Sequence, residues 1–391
     1  MIAKKEKEMI GWLEKKIVVI FFIVVTALAV VIRGLCINEM SGDMANFLLP
    51  WYEKLKENGG FRALALQLGD YNVPYVFILT CLTYLPIPPM YAIKIVSIIF
   101  DFLLALSVGI LIYYESGKKK YKAVLGYTFI LFSPIVVFNS AFWGQCDALY
   151  STFIILAIIC IMKDKEVLSF ILLGCAFAFK LQFIFILPVF CVIYFRKKSF
   201  SVLYFLLIPV TNLVLCLPAM IAGRPVADVI SIYMHQTATY PHMTMNYPNL
   251  YAVIGDYYEQ LHTLAIIFTV IILGIGAFLV LYKKIKINYQ NIIGLSIWSV
   301  WTCVMFLPAM HERYGFLLES LLIVNVLLYQ KEIATALMVQ VIIFYTYTMF
   351  LLGSSGQLLP YLGIINFILY LWFTIRRFRE LTISSVCNET N

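Results

Sequence analysis

Residues 17–51 read IVVIFFIVVTALAVVIRGLCINEMSGDMANFLLPW, and they set how the rest of the chain is understood. Ile17 to Ile32 is an uncharged apolar run preceded by Lys4, Lys5, Lys7, Lys15 and Lys16. A basic start before an apolar run resembles a secretory signal, but no small-residue cleavage site follows, so the run is expected to persist as a signal anchor. Beyond Arg33 comes a polar stretch with Ser41-Gly42-Asp43. Phe47, Trp51 and Leu55 then recur at helical spacing while Glu53, Lys54, Lys56 and Glu57 face elsewhere, which predicts a helix lying on the membrane surface. Gly59-Gly60 breaks the pattern, Phe61 to Leu68 is apolar again, and Val73 to Leu85 is too short to cross a bilayer easily. Residues 33–89 are therefore expected to form a large outer loop that hugs the membrane.

Composition agrees with a membrane class. With 62% hydrophobic and 13% charged residues in 391, a single water-soluble core does not account for the chain, whereas stacked apolar spans of about 20 residues do. The net charge of +8 is not a nucleic-acid stripe, because the basic residues sit in small clusters at the ends of apolar runs, where they carry orientation. The nine cysteines include no CxxC pair and mostly lie inside apolar runs, so neither zinc nor a disulfide framework is expected.

The positive-inside rule then orders the chain from a cytoplasmic amino terminus. Lys118-Lys119-Lys120-Tyr121-Lys122, Lys163-Asp164-Lys165, Arg196-Lys197-Lys198, Lys283-Lys284-Ile285-Lys286, Lys331 and Arg376-Arg377-Phe378-Arg379 fall inside. The expectation is an all-α polytopic protein of about 12 transmembrane helices, in one integral-membrane domain over residues 1–391. Core spans occupy 90–220, a second outer loop 223–260, a short outer loop 308–315, and the last spans 316–391. The uncommon polar residues gather outside: Asp43, Asp70, Gln145, Asp147, His235, His242, Asp256, His311, Glu312 and Arg313. Any site should open outward.

Four separated anchors carry a resemblance: Ser-Gly-Asp43 with Phe-x-x-Pro-Trp51; Phe-Trp-Gly-Gln145-Cys-Asp147-Ala-Leu-Tyr; Phe-Lys180-Leu-Gln182 with Leu-Pro188; and His311-Glu312-Arg313-Tyr. Together, over roughly residues 15 to 320, they resemble C-type (GT-C) glycosyltransferases. The nearest group is the bacterial mannosyltransferase-like proteins similar to the second mannosyltransferase of glycosylphosphatidylinositol assembly. The order also resembles the dolichyl-phosphate-glucose-dependent glucosyltransferases, with His-Glu-Arg313 where those have His-Glu-Lys. The resemblance implies a GT-C-like fold and transfer of a hexose from a polyprenyl-phosphate sugar, undecaprenyl in a bacterial plasma membrane, to a glycan or lipid acceptor. Such a reaction needs a base for the acceptor hydroxyl, alignment on the anomeric carbon, and stabilisation of the departing phosphate. Asp43 matches the family's first-loop base, implying an inverting single displacement.

Each residue has a plainer reading beside this one. Asp43, between Gly42 and a helix, could be an N-cap. Lys180, apolar on both sides, could hold the donor phosphate with Gln182 nearby, or snorkel to a headgroup. His311 and Arg313 could hold phosphate, Arg by a bidentate fork, or cap a span. Trp143, Gln145 and Asp147 suit a sugar by stacking and hydrogen bonds, although a membrane-interface belt also explains Trp143. Tyr247, with its tyrosine-rich neighbours, could line an acceptor groove. No Asp-x-Asp pair occurs in the first outer loop and HExxH would need His at 315, where Gly315 stands, so no metal or cofactor is expected. A lipid flippase or other secondary transporter is the alternative class, its sites lying near the midplane.

Overall fold

A computed structural model describes residues 4–69 and 71–389; Asp70 lies outside the described residues. Helix dominates, and among the described residues the strands are two short ones, β1 (Thr244–Met245) and β2 (Met310–His311). They pair in parallel with Met245 opposite His311, tying the 223–260 loop to the 308–315 loop.

Among the described residues six helices are long and apolar enough to cross a membrane: Glu6–Cys36, Pro89–Glu115, Val202–Ile221, Tyr258–Tyr282, Ile333–Leu352 and Gly356–Thr382. A seventh crossing results if Lys120–Leu131 and Pro134–Trp143, bent by 55° at their junction, form one span. The bend has a local cause, since Pro134 removes a backbone donor and the preceding residue leaves helical geometry. The chain is thus an all-α, multi-pass membrane protein. The expected count of twelve is larger than this set because several expected spans are short helices, Asp147–Met162, Glu166–Phe179 and Phe316–Tyr329 among them. The 14 residues of Glu166–Phe179 give about 21 Å of helix, short of a hydrocarbon core of about 30 Å. Ile17, Ile23, Val30 and Val31 on the first helix, and Leu264, Val270 and Phe278 on Tyr258–Tyr282, present apolar side chains outward, as lipid-facing surfaces must.

The first loop folds as protein-packed structure. A wide π-turn (Met44–Leu48) leads into the helix Leu49–Glu57, then a 3-10 turn (Gly60–Ala65) and the helix Val73–Leu82. Of the expected membrane-surface stripe only Leu55 turns inward, while Phe47 is exposed and Trp51 half-buried; the stripe buried against the protein is Leu48, Tyr52 and Leu55. The stripe meets Val76, Leu79 and Leu82 in a second hydrophobic cluster that also takes in Ala92, Cys146, Leu149, Cys216 and Ala219. At about 1.5–3 kcal/mol for each fully buried large side chain, this cluster is enough to seat the loop on the helical body.

Lys94 ties the loop from below. Its ammonium, buried within Pro89–Glu115, donates to the carbonyls of Ile37 (3.1 Å) and Glu39. Deeper still, Arg33 at the end of the first long helix pairs with Asp101 at 2.8 Å, and Asp101 also accepts from the Ser140 hydroxyl. Both charges are buried, so the pair pins the first helix to the strand of chain that carries Trp143.

Candidate functional site

Two π-turns meet at Asp43. One begins immediately after it (Met44–Leu48), and the other, Phe138–Trp143, ends at Gly144 with φ +84°. A side chain at Gly144 would overlap the end of Met44, so glycine there permits both the left-handed turn and the close approach of the two segments. Ser41 locks the contact: its hydroxyl donates to the Trp143 carbonyl (2.9 Å) and accepts from the Met44 amide (3.1 Å). Ser41 thus does the local capping, and the Asp43 carboxylate makes no cap bond.

Asp43 Oδ2 instead accepts from Trp143 Nε1 at 2.9 Å and Gln145 Nε2 at 2.8 Å, with Arg313 Nη1 at 3.9 Å. Gln145 is held by Tyr71, whose hydroxyl donates to Oε1 at 2.7 Å. The guanidinium of Arg313 lies 5.3 Å from the Trp143 ring centre. Among these groups Asp43 and Arg313 keep side-chain exposures of 19% and 14%, whereas Trp143 is wholly buried, so the acid and the cation are the pair a ligand can reach. Trp143 therefore offers no open face for a sugar; it orients Asp43, with Tyr347 and Phe350 packed on its ring.

Behind this pair lies a closed ion pair. Lys180 Nζ meets Asp147 Oδ1 at 2.5 Å, and Asp147 Oδ2 accepts from Asn139 Nδ2 at 2.8 Å. Asn139 Nδ2 also donates to the Tyr347 hydroxyl at 3.2 Å. Lys180 sits where Glu166–Phe179 ends and a 3-10 turn (Leu181–Ile186) begins, on extended backbone that turns its side chain inward. It does not snorkel. Gln182 is half-buried in that turn.

The Met310–His311 strand brings in the third group. His311 packs edge-on against Tyr240 and beside Tyr314. Burial, with Arg313 and Lys180 close by, pushes its imidazole far below the usual range, so His311 is neutral and can engage an anion only through a ring N–H. Glu312 is fully buried; its amide bonds to the Met245 carbonyl, and its Oε1 is 3.3 Å from Arg313 Nη1. Burial first, then the nearby Asp43 charge, raise its carboxyl from 4.5 to about 7 against the opposing pull of Arg313. Glu312 Oε2 and Arg313 Nε are buried without a hydrogen-bond partner.

Of the residues singled out from sequence, Asp43, Trp143, Gln145, Asp147, Lys180, His311 and Arg313 converge here. Tyr247 does not: it is buried in the main hydrophobic cluster, against Gly315 and Ile343. Tyr71, Asn139, Glu312 and Tyr347 belong to the site without having been chosen; Glu312, beside His311 and Arg313, was the one with a local signal. Among the described residues no group of three or more His, Cys, Asp or Glu is placed to hold a metal ion. A scan against protein-family models and a search of characterised proteins gave no match to this chain.

Proposed function

We propose that the chain is an inverting glycosyltransferase that moves a hexose from a polyprenyl-phosphate sugar to an acceptor hydroxyl at the outer face of a bacterial plasma membrane, working without metal. The observation that carries the reading is the Asp43 carboxylate, oriented through one oxygen by Trp143 and Gln145, reachable from outside, and with an incompletely paired arginine at 3.9 Å. A carboxylate and a cation side by side are what this transfer asks of a protein. Asp43 takes the acceptor proton; the acceptor oxygen attacks the anomeric carbon from the face opposite the phosphate; the carbon–oxygen bond to the phosphate breaks, and the phosphate leaves with the electron pair.

Arg313 meets the leaving phosphate, with neutral His311 donating a ring hydrogen bond beside it. Lys180, with one of its three ammonium protons committed to Asp147, adds positive potential behind the phosphate. Twelve crossings with both termini cytoplasmic complete the proposal, the short helices crossing inside the protein body. Ser355→Cys should then react with an impermeant thiol reagent in intact cells and Lys119→Cys should not; the reverse pattern inverts the map.

The decisive assay gives purified protein labelled undecaprenyl-phosphate glucose or mannose with a glycan acceptor fraction, with no ion gradient and with excess EDTA. Transfer is expected with the native chain and not with Asp43→Asn. Near-native turnover in Asp43→Asn removes the base, and loss of turnover under EDTA that manganese or magnesium restores turns Asp43 into a metal ligand. Gradient-dependent movement of the lipid-linked sugar without transfer would make the chain a flippase.

A further inference from the structure

A further buried cation lies apart from Asp43, just past the helix Leu207–Ile221. Arg224 stands in the short link between the helices Leu207–Ile221 and Val226–Ala238, after Gly223 and before Pro225. It is 4% exposed, and its Nε and Nη2 are buried with no hydrogen-bond partner. The backbone around it is in order, the Arg224 amide bonding to the Ala219 carbonyl at 2.9 Å. Burying a guanidinium with unspent donors is costly unless something negative completes it. Asp228 is close enough to act on its charge, yet among the described residues the two form no ion pair.

The geometry around Arg224 is that of an anion seat. The 13-residue helix Val226–Ala238 starts at Pro225 with no side-chain cap. The Asp228 and Val229 amides bond to the Pro225 carbonyl, which leaves the Val226 and Ala227 amides at the link, with Asp228 in the same first turn. A helix start concentrates positive partial charge and amide donors, and Arg224 adds a full charge with two free donors. Cys216, Ala219 and Val229, the apolar neighbours of the link, pack into the cluster that seats the first loop, so the seat is braced by the element that carries Asp43.

We propose that Arg224 and the start of the Val226–Ala238 helix bind a phosphate group, as a second anion site separate from Arg313. The ligand chemistry is a phosphate monoester or diester, carried by a lipid headgroup or by a soluble phosphate. The proposal stands whether or not the chain is a transferase; in a transferase, it would make the acceptor or a bound lipid phosphate-bearing.

The test uses the full chain, delipidated in detergent, and reads the thermal unfolding midpoint. Dioctanoyl phosphatidic acid, inorganic phosphate and dioctanoylglycerol are added separately at matched ionic strength. A rise of several degrees with phosphatidic acid and none with dioctanoylglycerol is expected, because a ligand that binds the native state raises its midpoint. A matching rise with inorganic phosphate identifies a soluble source, and a rise with the lipid alone a headgroup. In an Arg313→Gln background, which removes the other phosphate-binding cation, a rise should remain, Arg224→Gln should abolish it, and Arg224→Lys should keep part of it. No rise in the Arg313→Gln chain, or one that survives the addition of Arg224→Gln, overturns the site. Should Arg224→Gln fail to fold, phenylglyoxal modification of the native chain decides: phosphate must protect Arg224 several-fold over exposed Arg62, and equal rates overturn the proposal.

Discussion

At the end of the molecule that carries Asp43, opposite charges stand close but mismatched: Arg313 is 3.9 Å from Asp43 and 3.3 Å from Glu312, and its Nε is buried unpaired. At the other end Lys331 meets Glu380 at 3.0 Å and Arg376 meets Glu332 at 3.1 Å. Arg377 there donates to the Gln290 carbonyl and the Asn291 side chain, both at 2.9 Å. The second set is joined to itself and to the backbone, although Arg377 Nε is also buried without a partner. In the first, Arg313 pairs with Glu312 and leaves Asp43 at 3.9 Å, where both side chains stay partly exposed. Donors kept from their internal partners are ready for an outside one, which is how a binding site differs from a structural brace.

The contrast breaks first at Asp43. Asp43→Asn keeps the shape and should cut transfer by at least about a hundredfold, the usual span of a lost general base being about 10²–10⁴. Its unfolding midpoint should hardly move, because Ser41 does the local capping. A large drop in the midpoint would mean that Asp43 is a brace after all. Lys180→Met should behave oppositely: it leaves Asp147 buried without its counter-ion, which costs about 3–5 kcal/mol, read as poor yield and early unfolding in detergent. Lys180→Met with native stability would show that Asp147 does not depend on the pair.

Glu312 sharpens the comparison through pH. Its carboxyl is raised from 4.5 to about 7, so between those values the native state holds a proton that the unfolded chain has released. The stability this proton contributes is fully present below pH 4.5 and is lost as pH rises through 7, amounting to about 3 kcal/mol at most. Glu312→Gln should flatten the midpoint between pH 5 and 8 and raise it at pH 8; an unchanged slope would place the titration elsewhere. Arg313→Gln is expected to act on substrate, weakening donor use at least about tenfold, about 1.4 kcal/mol. An unaltered KM for the polyprenyl-phosphate sugar would take Arg313 out of the phosphate site.

What the sequence made legible follows from locality. Ile17 to Ile32 declares a membrane chain because an uncharged apolar run has few other uses. Asp43, Gln145, Lys180 and Arg313 stood out because polar residues at the edges of apolar runs are uncommon and share a side. The partnerships were not legible. Lys180 finds Asp147 33 positions away and Arg33 finds Asp101 68 away, and nothing in the local pattern pairs them. Helical spacing puts Phe47, Trp51 and Leu55 on one face but does not say which face meets protein; Leu48, Tyr52 and Leu55 are the buried set because they pack with Val76, Leu79 and Leu82, farther along the chain. Trp143 read as a sugar platform because its type suits one, but the Arg313 guanidinium and the Tyr347 and Phe350 rings already occupy its surroundings.

The smallest effect belongs to the paired end. Glu380 is the hub there, at 3.0 Å from Lys331, 3.8 Å from Arg376 and 3.7 Å from Arg377, with a side chain 31% exposed. Exposed pairs of this kind contribute about 0–1 kcal/mol each, and the hub is shared, so its three contacts do not sum. The buried member, Arg377, keeps its bonds to Gln290 and Asn291 when Glu380 is neutralised, so its guanidinium is not stranded. Glu380→Gln is therefore expected to lower stability by less than about 1 kcal/mol, most visibly at low salt, and to leave transfer unchanged. The measurement is the unfolding midpoint at low and high sodium chloride beside turnover in the same preparations. Lost turnover at native stability would show that the far end communicates with Asp43, and the division between a braced end and a reactive end would fall.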